Sequence, residues 1–459
     1  MPERSRPSIV SPPALAFAWV VVCLALIYVP DLGRGFVKDD FRWIVTSRLQ
    51  GLADLQRVFV ETPMGFYRPL VAISFGVSHS WFGLNPFPYG LTNLLLVVAI
   101  AASIVVLVRA LGLSAGVGVF AAALWAFNFH GINMAILWIS GRTSLLATLF
   151  AVWAACAFAM SRFLLTGVFV LLSLLSKEEP IMLPIVLAGW AAIDGMTRGG
   201  PPAGVFKSVV RSTWPSFIAV TAYFLLRAQS PAFTPDTAPD VYRLTSTVIS
   251  SNVIQYVDRS LTFAAGILLL AGVLLVRRRF PVDAVERRMI LKGCLWLTLG
   301  FALTIMLPVR SSLYVCFPSI GTALIGAAIA SAEWRAIPRQ RQAIAIALVI
   351  PLLLLPAYRA RNTRLKNEAL LSARVLRQLV GVASRGQVDR VVVYDHASER
   401  PSLADAFADT LPIAFELVLG RQPAPSIALE PAVPDTARTR SDSDRTIDMA
   451  LSRGTLVRF

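Results

Sequence analysis

Two adjacent carboxylates, Asp39 and Asp40, stand in the run Lys38-Asp39-Asp40-Phe41-Arg42-Trp43. Neighbouring carboxylates repel, so one of the pair holds its proton to higher pH. Such a group is suited to taking a proton from a hydroxyl. The same two residues also suit a helix start, where a side-chain oxygen accepts from the first free backbone amides. Further on, Tyr67-Arg68-Pro69-Leu70 puts a guanidinium where a loop enters a helix, with proline at the first helical position. A guanidinium there can grip a phosphate through two parallel hydrogen bonds, or simply anchor at lipid headgroups. Arg142 follows Trp138-Ile139-Ser140-Gly141, and an isolated cation between apolar segments calls for an anionic partner. His130 lies on the same side and reads more readily as an interfacial histidine than as a ligand. Lys177 and Glu178 occupy a tight turn, where they can pair with each other, and Arg310 and Tyr314 fall in Pro308-Val309-Arg310-Ser311-Ser312-Leu313-Tyr314.

These residues must be held by helices in a membrane. The chain has 459 residues, 56% hydrophobic and only 15% charged. Soluble domains carry about a quarter charged residues, and apolar blocks near twenty residues long are membrane spans. Eleven candidate spans fall at 13–30, 89–109, 114–130, 144–161, 163–176, 180–193, 213–229, 258–276, 290–307, 313–331 and 341–356. The first is read as an uncleaved helix, since no small-x-small cleavage site follows it. Leu70 to Phe82 is apolar but too short to cross upright, so a helix on the membrane surface is expected.

The net charge of +16 is spread between the apolar blocks rather than gathered in one patch. That distribution indicates membrane topology and headgroup contacts, not nucleic acid. With the N-terminus inside, Arg109, Arg162, Arg198, Lys207, Arg211, Arg287, Arg288 and Lys292 fall on cytoplasmic connections. The loop 31–88, the loop 230–257 and the C-terminal tail then lie outside. Arg68, Arg142, Lys177 and Arg310 thus share one membrane face with the two aspartates, which suggests a site for an anionic, lipid-linked substrate. The domain expectation is a transmembrane module over 1–356 and a small α/β domain over 357–459. The latter should contain a helix at 362–382, a strand at Val391 to Tyr394, a helix at Ala404 to Leu419 and a strand pair at the end.

Several classes are disfavoured. There is no P-loop, so a cytoplasmic nucleotide engine is not expected. Cys23, Cys156, Cys294 and Cys316 lack metal-ligand spacing, and no metal ligand is proposed. No acidic residue occurs between Glu61 and Glu178, which argues against cation transport through those spans.

In order and spacing, the motifs resemble those of the C-type (GT-C) glycosyltransferases, which use polyprenyl-phosphate sugars as donors. The chain is most similar to bacterial relatives of the membrane O-mannosyltransferases that carry tetratricopeptide repeats. The resemblance covers roughly residues 10–335 and rests on Asp39-Asp40, Tyr67-Arg68-Pro69-Leu70, Trp138 to Arg142, Ser176-Lys177-Glu178 and Arg310 to Gly321. No tetratricopeptide repeat follows. The resemblance implies a GT-C-like all-α membrane fold with about eleven spans. It implies an inverting transfer of sugar to an acceptor hydroxyl at the outer face of a bacterial cytoplasmic membrane. Asp39, with Asp40 beside it, takes the catalytic role. Arg68 takes the donor phosphate, as does a basic residue before a proline in the lipid A aminoarabinose transferases, with Arg142, Lys177 and Arg310 as further phosphate ligands. Tyr67, His130, Glu178 and Tyr314 complete the expected site. Expected partners are a polyprenyl-phosphate sugar, membrane lipids and a lipid, glycan or protein acceptor. No cofactor is assigned, and a divalent-metal requirement is left open. Related sequences commonly place an acid two residues after the Gly-Arg arginine, whereas this chain has Ser144, a position Glu178 could serve in space. Two other classes stay open, a non-catalytic membrane scaffold and a transporter of lipid-linked sugar.

Overall fold

A computed structural model describes residues 12–49, 51–62, 65–234, 245–260, 282–336, 352–385, 388–395, 400–420, 425–430 and 446–458. The apolar blocks form helices because a backbone in hydrocarbon must satisfy its own hydrogen bonds. Helix α1 is Pro12–Tyr28, and the loop helices are α2 (Asp39–Thr46), α3 (Leu52–Arg57) and α4 (Pro69–Phe82). The bundle continues with α5 (Pro86–Ala110), α6 (Ala115–Ala126), α7 (Gly131–Leu137), α8 (Arg142–Ala159), α9 (Phe163–Ser176), α10 (Leu183–Thr197) and α11 (Pro202–Arg227). It closes with α12 (Ala284–Gly300) and α13 (Ser319–Ala336).

Seven described helical segments are long and apolar enough to cross a membrane, or eight if α6 and α7, bent by 70°, form one span. The chain is therefore a predominantly helical, multi-pass membrane protein. Helix α9 is apolar but short, Phe163–Ser176. The expected spans at 258–276 and 341–356 lie largely outside the described residues. Close helix crossings use missing side chains: a Cβ on Gly293 of α12 would meet the carbonyl of Gly321 in α13 at 2.8 Å.

The tail departs in detail from expectation. One helix, α14 (Leu355–Arg385), crosses the 356/357 boundary without a break. Near its start Tyr358 donates to the carbonyl of Phe127 at 2.6 Å, and Asn362 donates to Ile27 and to Asp31. Further along, Leu371, Val375, Leu376 and Leu379 pack into the core of the tail. The expected single helix at 404–419 is two, α15 (Leu403–Phe407) and α16 (Leu411–Leu419), because Ala408 turns to φ 49°. The strands are β1 (Arg390–Tyr394), β2 (Ser426–Glu430), β3 (Thr446–Ser452) and β4 (Thr455–Arg458), in the order β2-β1-β3-β4. β1 is parallel to β2 and β3, while β3 and β4 form the expected antiparallel pair. Val391, Val392 and Val393 of β1 are fully buried, as a central strand covered on both faces requires.

Candidate functional site

The tail bolts the acidic loop in place. Lys38 precedes α2 at φ 50°, a backbone state unusual for a side chain with a Cβ. Three contacts from the tail hold it there. Its amide donates to the carbonyl of Ala406 at 2.9 Å, its ammonium pairs with Glu368 at 2.9 Å, and Thr410 donates to its carbonyl at 3.1 Å. Beside it Phe41 stacks on Phe407 with ring centres 5.9 Å apart.

This arrangement separates the two aspartates. Asp40 is 1% exposed and accepts from the amide of Val37 at 2.9 Å, the amide of Ser140 at 2.7 Å and the hydroxyl of Ser140. It ties the loop to the start of the α8 segment. Burial pushes its carboxyl up to about 7, against the lowering effect of those bonds. Asp39 is half-buried and, among the described residues, has no hydrogen-bond or ion-pair partner. Burial raises its carboxyl above the ordinary aspartate range, against the pull of Arg42, Arg68 and Lys38. Asp39 is thus the less engaged of the two carboxylates, and Arg68 is among the charges acting on it.

Arg68 closes the other side of the cluster. Its Nε and Nη2 donate to Glu178 at 3.1 and 2.6 Å, and the guanidinium lies over the Phe66 ring at 4.3 Å. Burial alone would raise the Glu178 carboxyl, but Arg68 outweighs it and holds the group at about 2. The neighbouring Tyr67 is buried against Tyr223, and its hydroxyl has no partner among the described residues. Lys177, at the end of α9, pairs with Glu179 and donates to the hydroxyl of Ser144 at 2.7 Å. Its ammonium lies 4.8 Å from the ring centre of Tyr314. Lys177 and Glu178 therefore do not pair with each other. The carboxylate next to Ser144 is Glu179, reached through Lys177, while Glu178 turns to Arg68.

Three expected site residues fall outside this cluster. Arg142 is 0% exposed and has no anionic partner among the described residues. It donates to Asn93 Oδ1 at 3.1 Å, Ser78 Oγ at 2.8 Å, the Tyr89 carbonyl at 3.1 Å, and the carbonyl and hydroxyl of Ser74 at 3.2 Å each. Its ring neighbours are Phe75 and Tyr89. Arg142 is thus a strut pinning α4 to α5 and α8, its guanidinium bonded to neutral oxygens. Arg310 is exposed and donates to Asn252 at 2.9 Å, with no bond to Arg68, Lys177 or Glu178 among the described residues. His130 sits at the break between α6 and α7, with Arg361 Nη2 at 3.4 Å from its Nδ1.

Sequence reasoning overlooked Glu179, although it adjoins the motif, and Tyr223, for which no local signal existed. It also missed Lys38 and Glu368 as the pair that sets the loop. Among the described residues no group of three or more His, Cys, Asp and Glu side chains is placed to hold a metal ion.

No family model matches the chain, and no curated protein matches it. Among solved structures it is similar to the crystal structure of ArnT from Cupriavidus metallidurans bound to undecaprenyl phosphate. The two are 14% identical over 96% of this chain and 93% of that one, with a TM-score of 0.49. A likeness of that strength carries no assignment of residues or activity.

Proposed function

We propose that the chain is an inverting glycosyltransferase of the GT-C type. It moves a sugar from a polyprenyl-phosphate donor to an acceptor hydroxyl at the outer face of the cytoplasmic membrane. The observation that carries this reading is a half-buried carboxylate, Asp39, without a partner among the described residues, near enough to the Arg68 guanidinium for its charge to act on it. Chemistry on a lipid phosphate ester needs a base for the attacking hydroxyl and a cation for the departing phosphate.

In this mechanism the Asp39 carboxylate takes the proton of the acceptor hydroxyl as that oxygen bonds to the anomeric carbon. The bond from that carbon to the phosphate oxygen breaks, with inversion. The electron pair leaves on the polyprenyl phosphate, where Arg68 meets the growing charge. A phosphate leaves without a proton at neutral pH, so one carboxylate suffices, unlike the two required for glycoside hydrolysis. Asp40, saturated with hydrogen bonds, fixes the loop that presents Asp39. The buried knot of Lys177, Glu179, Ser144 and Tyr314 supports the turn from which Glu178 reaches Arg68.

The test is transfer by full-length protein in membranes, with envelope glycans read by mass spectrometry. Asp39→Asn is expected to abolish the glycan mass gain while expression and undecaprenyl phosphate binding persist. Removal of one contact made in the transition state typically costs about 10²–10³ in rate. Full transfer by Asp39→Asn would remove Asp39 as the base. Binding unchanged in Arg68→Ala would remove Arg68 as the phosphate ligand.

A further inference from the structure

At the opposite end of the bundle from Asp39 and Arg68 is a second charged cavity, of about 320 Å³. Its walls come from the far ends of α5, α8 and α10 and the near ends of α9 and α12, so α10 alone separates the two sites by roughly 20 Å. Lys292 lines it, 6% exposed, pairing with Asp194 at 2.8 Å and lying 5.4 Å from the Trp190 ring centre. The Trp190 indole donates to the Lys292 carbonyl at 3.1 Å, which fixes the wall.

Two further cations, Arg198 and Arg288, line the same cavity. Neither has an ion-pair or side-chain hydrogen-bond partner among the described residues. Three cations therefore face one carboxylate, and the cavity keeps an excess of positive charge. Arg198 is exposed and Arg288 half-buried, so both are open to an approaching anion beside the buried Lys292. Unengaged guanidinium groups beside a buried ammonium match a phosphate, which accepts several charge-assisted bonds at once. The aromatic walls at Phe163 and Trp190 add an apolar surface that free phosphate would not use but a lipid backbone would. The cation distribution places this end on the cytoplasmic side, where anionic lipids meet basic pockets between helices.

We propose that this cavity is a binding site for a phosphate-bearing anion, supplied by the headgroup of an inner-leaflet anionic lipid. It is independent of the proposed transfer at Asp39. Arg198 and Arg288 take the phosphate oxygens, and Lys292, oriented by Asp194, supplies the buried third charge.

The test uses full-length protein in detergent and native mass spectrometry with added phosphatidylglycerol. A neutral galactosyl diacylglycerol serves as the lipid without phosphate, and inorganic phosphate as competitor. Wild type is expected to retain phosphatidylglycerol at least about tenfold better than Arg198→Gln/Arg288→Gln, since each lost bond to a charged group costs about a factor of ten or more. An unchanged unfolding midpoint in the double variant would confirm that its fold is intact. Arg68→Ala should retain the lipid as wild type does, separating this site from the proposed donor site. Displacement by millimolar inorganic phosphate would keep the phosphate site but assign it to free phosphate. Equal retention by wild type and the double variant, or of the galactolipid and phosphatidylglycerol, would overturn the proposal.

Discussion

Glu178→Gln tests whether Arg68 is a phosphate ligand held in reserve. In the structure Glu178 accepts both Arg68 bonds, at 3.1 and 2.6 Å, with the two side chains 10% and 23% exposed. A donor phosphate must share or displace that carboxylate. Because Arg68 holds Glu178 at about 2, it stays ionised at any pH used for an assay and competes as a full charge. Hydrogen bonds to charged groups are worth about 1.5–3 kcal/mol net, and the partial exposure of Glu178 argues for the lower end. Glutamine keeps the shape and one acceptor oxygen but removes the charge. Undecaprenyl phosphate should then bind about tenfold more tightly, which corresponds to roughly 1.4 kcal/mol. The assay is titration of the lipid into wild type, Glu178→Gln and Arg68→Ala in one detergent. Binding by Glu178→Gln as weak as that of Arg68→Ala would refute competition and make Glu178 the residue that positions Arg68. An unchanged affinity would mean that phosphate does not use this guanidinium.

Three other perturbations follow from the packing. Asp40 titrates near pH 7 in the fold and near 3.8 when unfolded, so between those values only the folded chain holds the proton and stability falls as pH rises. The loss from this group integrates to about 4 kcal/mol, and Asp40→Asn should flatten the slope in unfolding measured from pH 4 to 8, leaving the smaller part due to Asp39. Arg142→Lys replaces a fork with a point charge and leaves several buried oxygens unmatched, so it should cost about 3 kcal/mol or more and appear as lost folded yield. Retention of wild-type stability would contradict the strut assignment. Phe407→Ala removes the ring stacked on Phe41 and should destabilise by about 3–5 kcal/mol. If the tail sets Asp39, glycan transfer should fall in this variant while undecaprenyl phosphate binding persists. Loss of both together would point to general unfolding instead.

The apolar blocks by themselves determined most of the helical architecture, because hydrocarbon leaves a spanning backbone few alternatives to the helix. Local spacing also marked Arg68 before the proline of α4, the turn at Lys177, the strand at Val391 to Tyr394 and the closing strand pair. Charge pairing was beyond its reach. Asp39 and Asp40 are equivalent in the chain, and only the fold brings Ser140, 100 residues away, onto Asp40 and leaves Asp39 without a partner among the described residues. Arg142 read as a cation needing an anion until α4 and α5 supplied it with neutral oxygens. Lys177 lies next to Glu178, yet backbone direction turns it to Glu179 and sends Glu178 to Arg68, 110 residues distant. Strand β2, with its short half-buried run Ser426–Glu430, had no signal strong enough to stand without β1 beside it. Side-chain type and helical period are local properties legible in order along the chain. Which donor meets which acceptor depends on contacts between distant segments, and those exist only once the helices and the tail have packed.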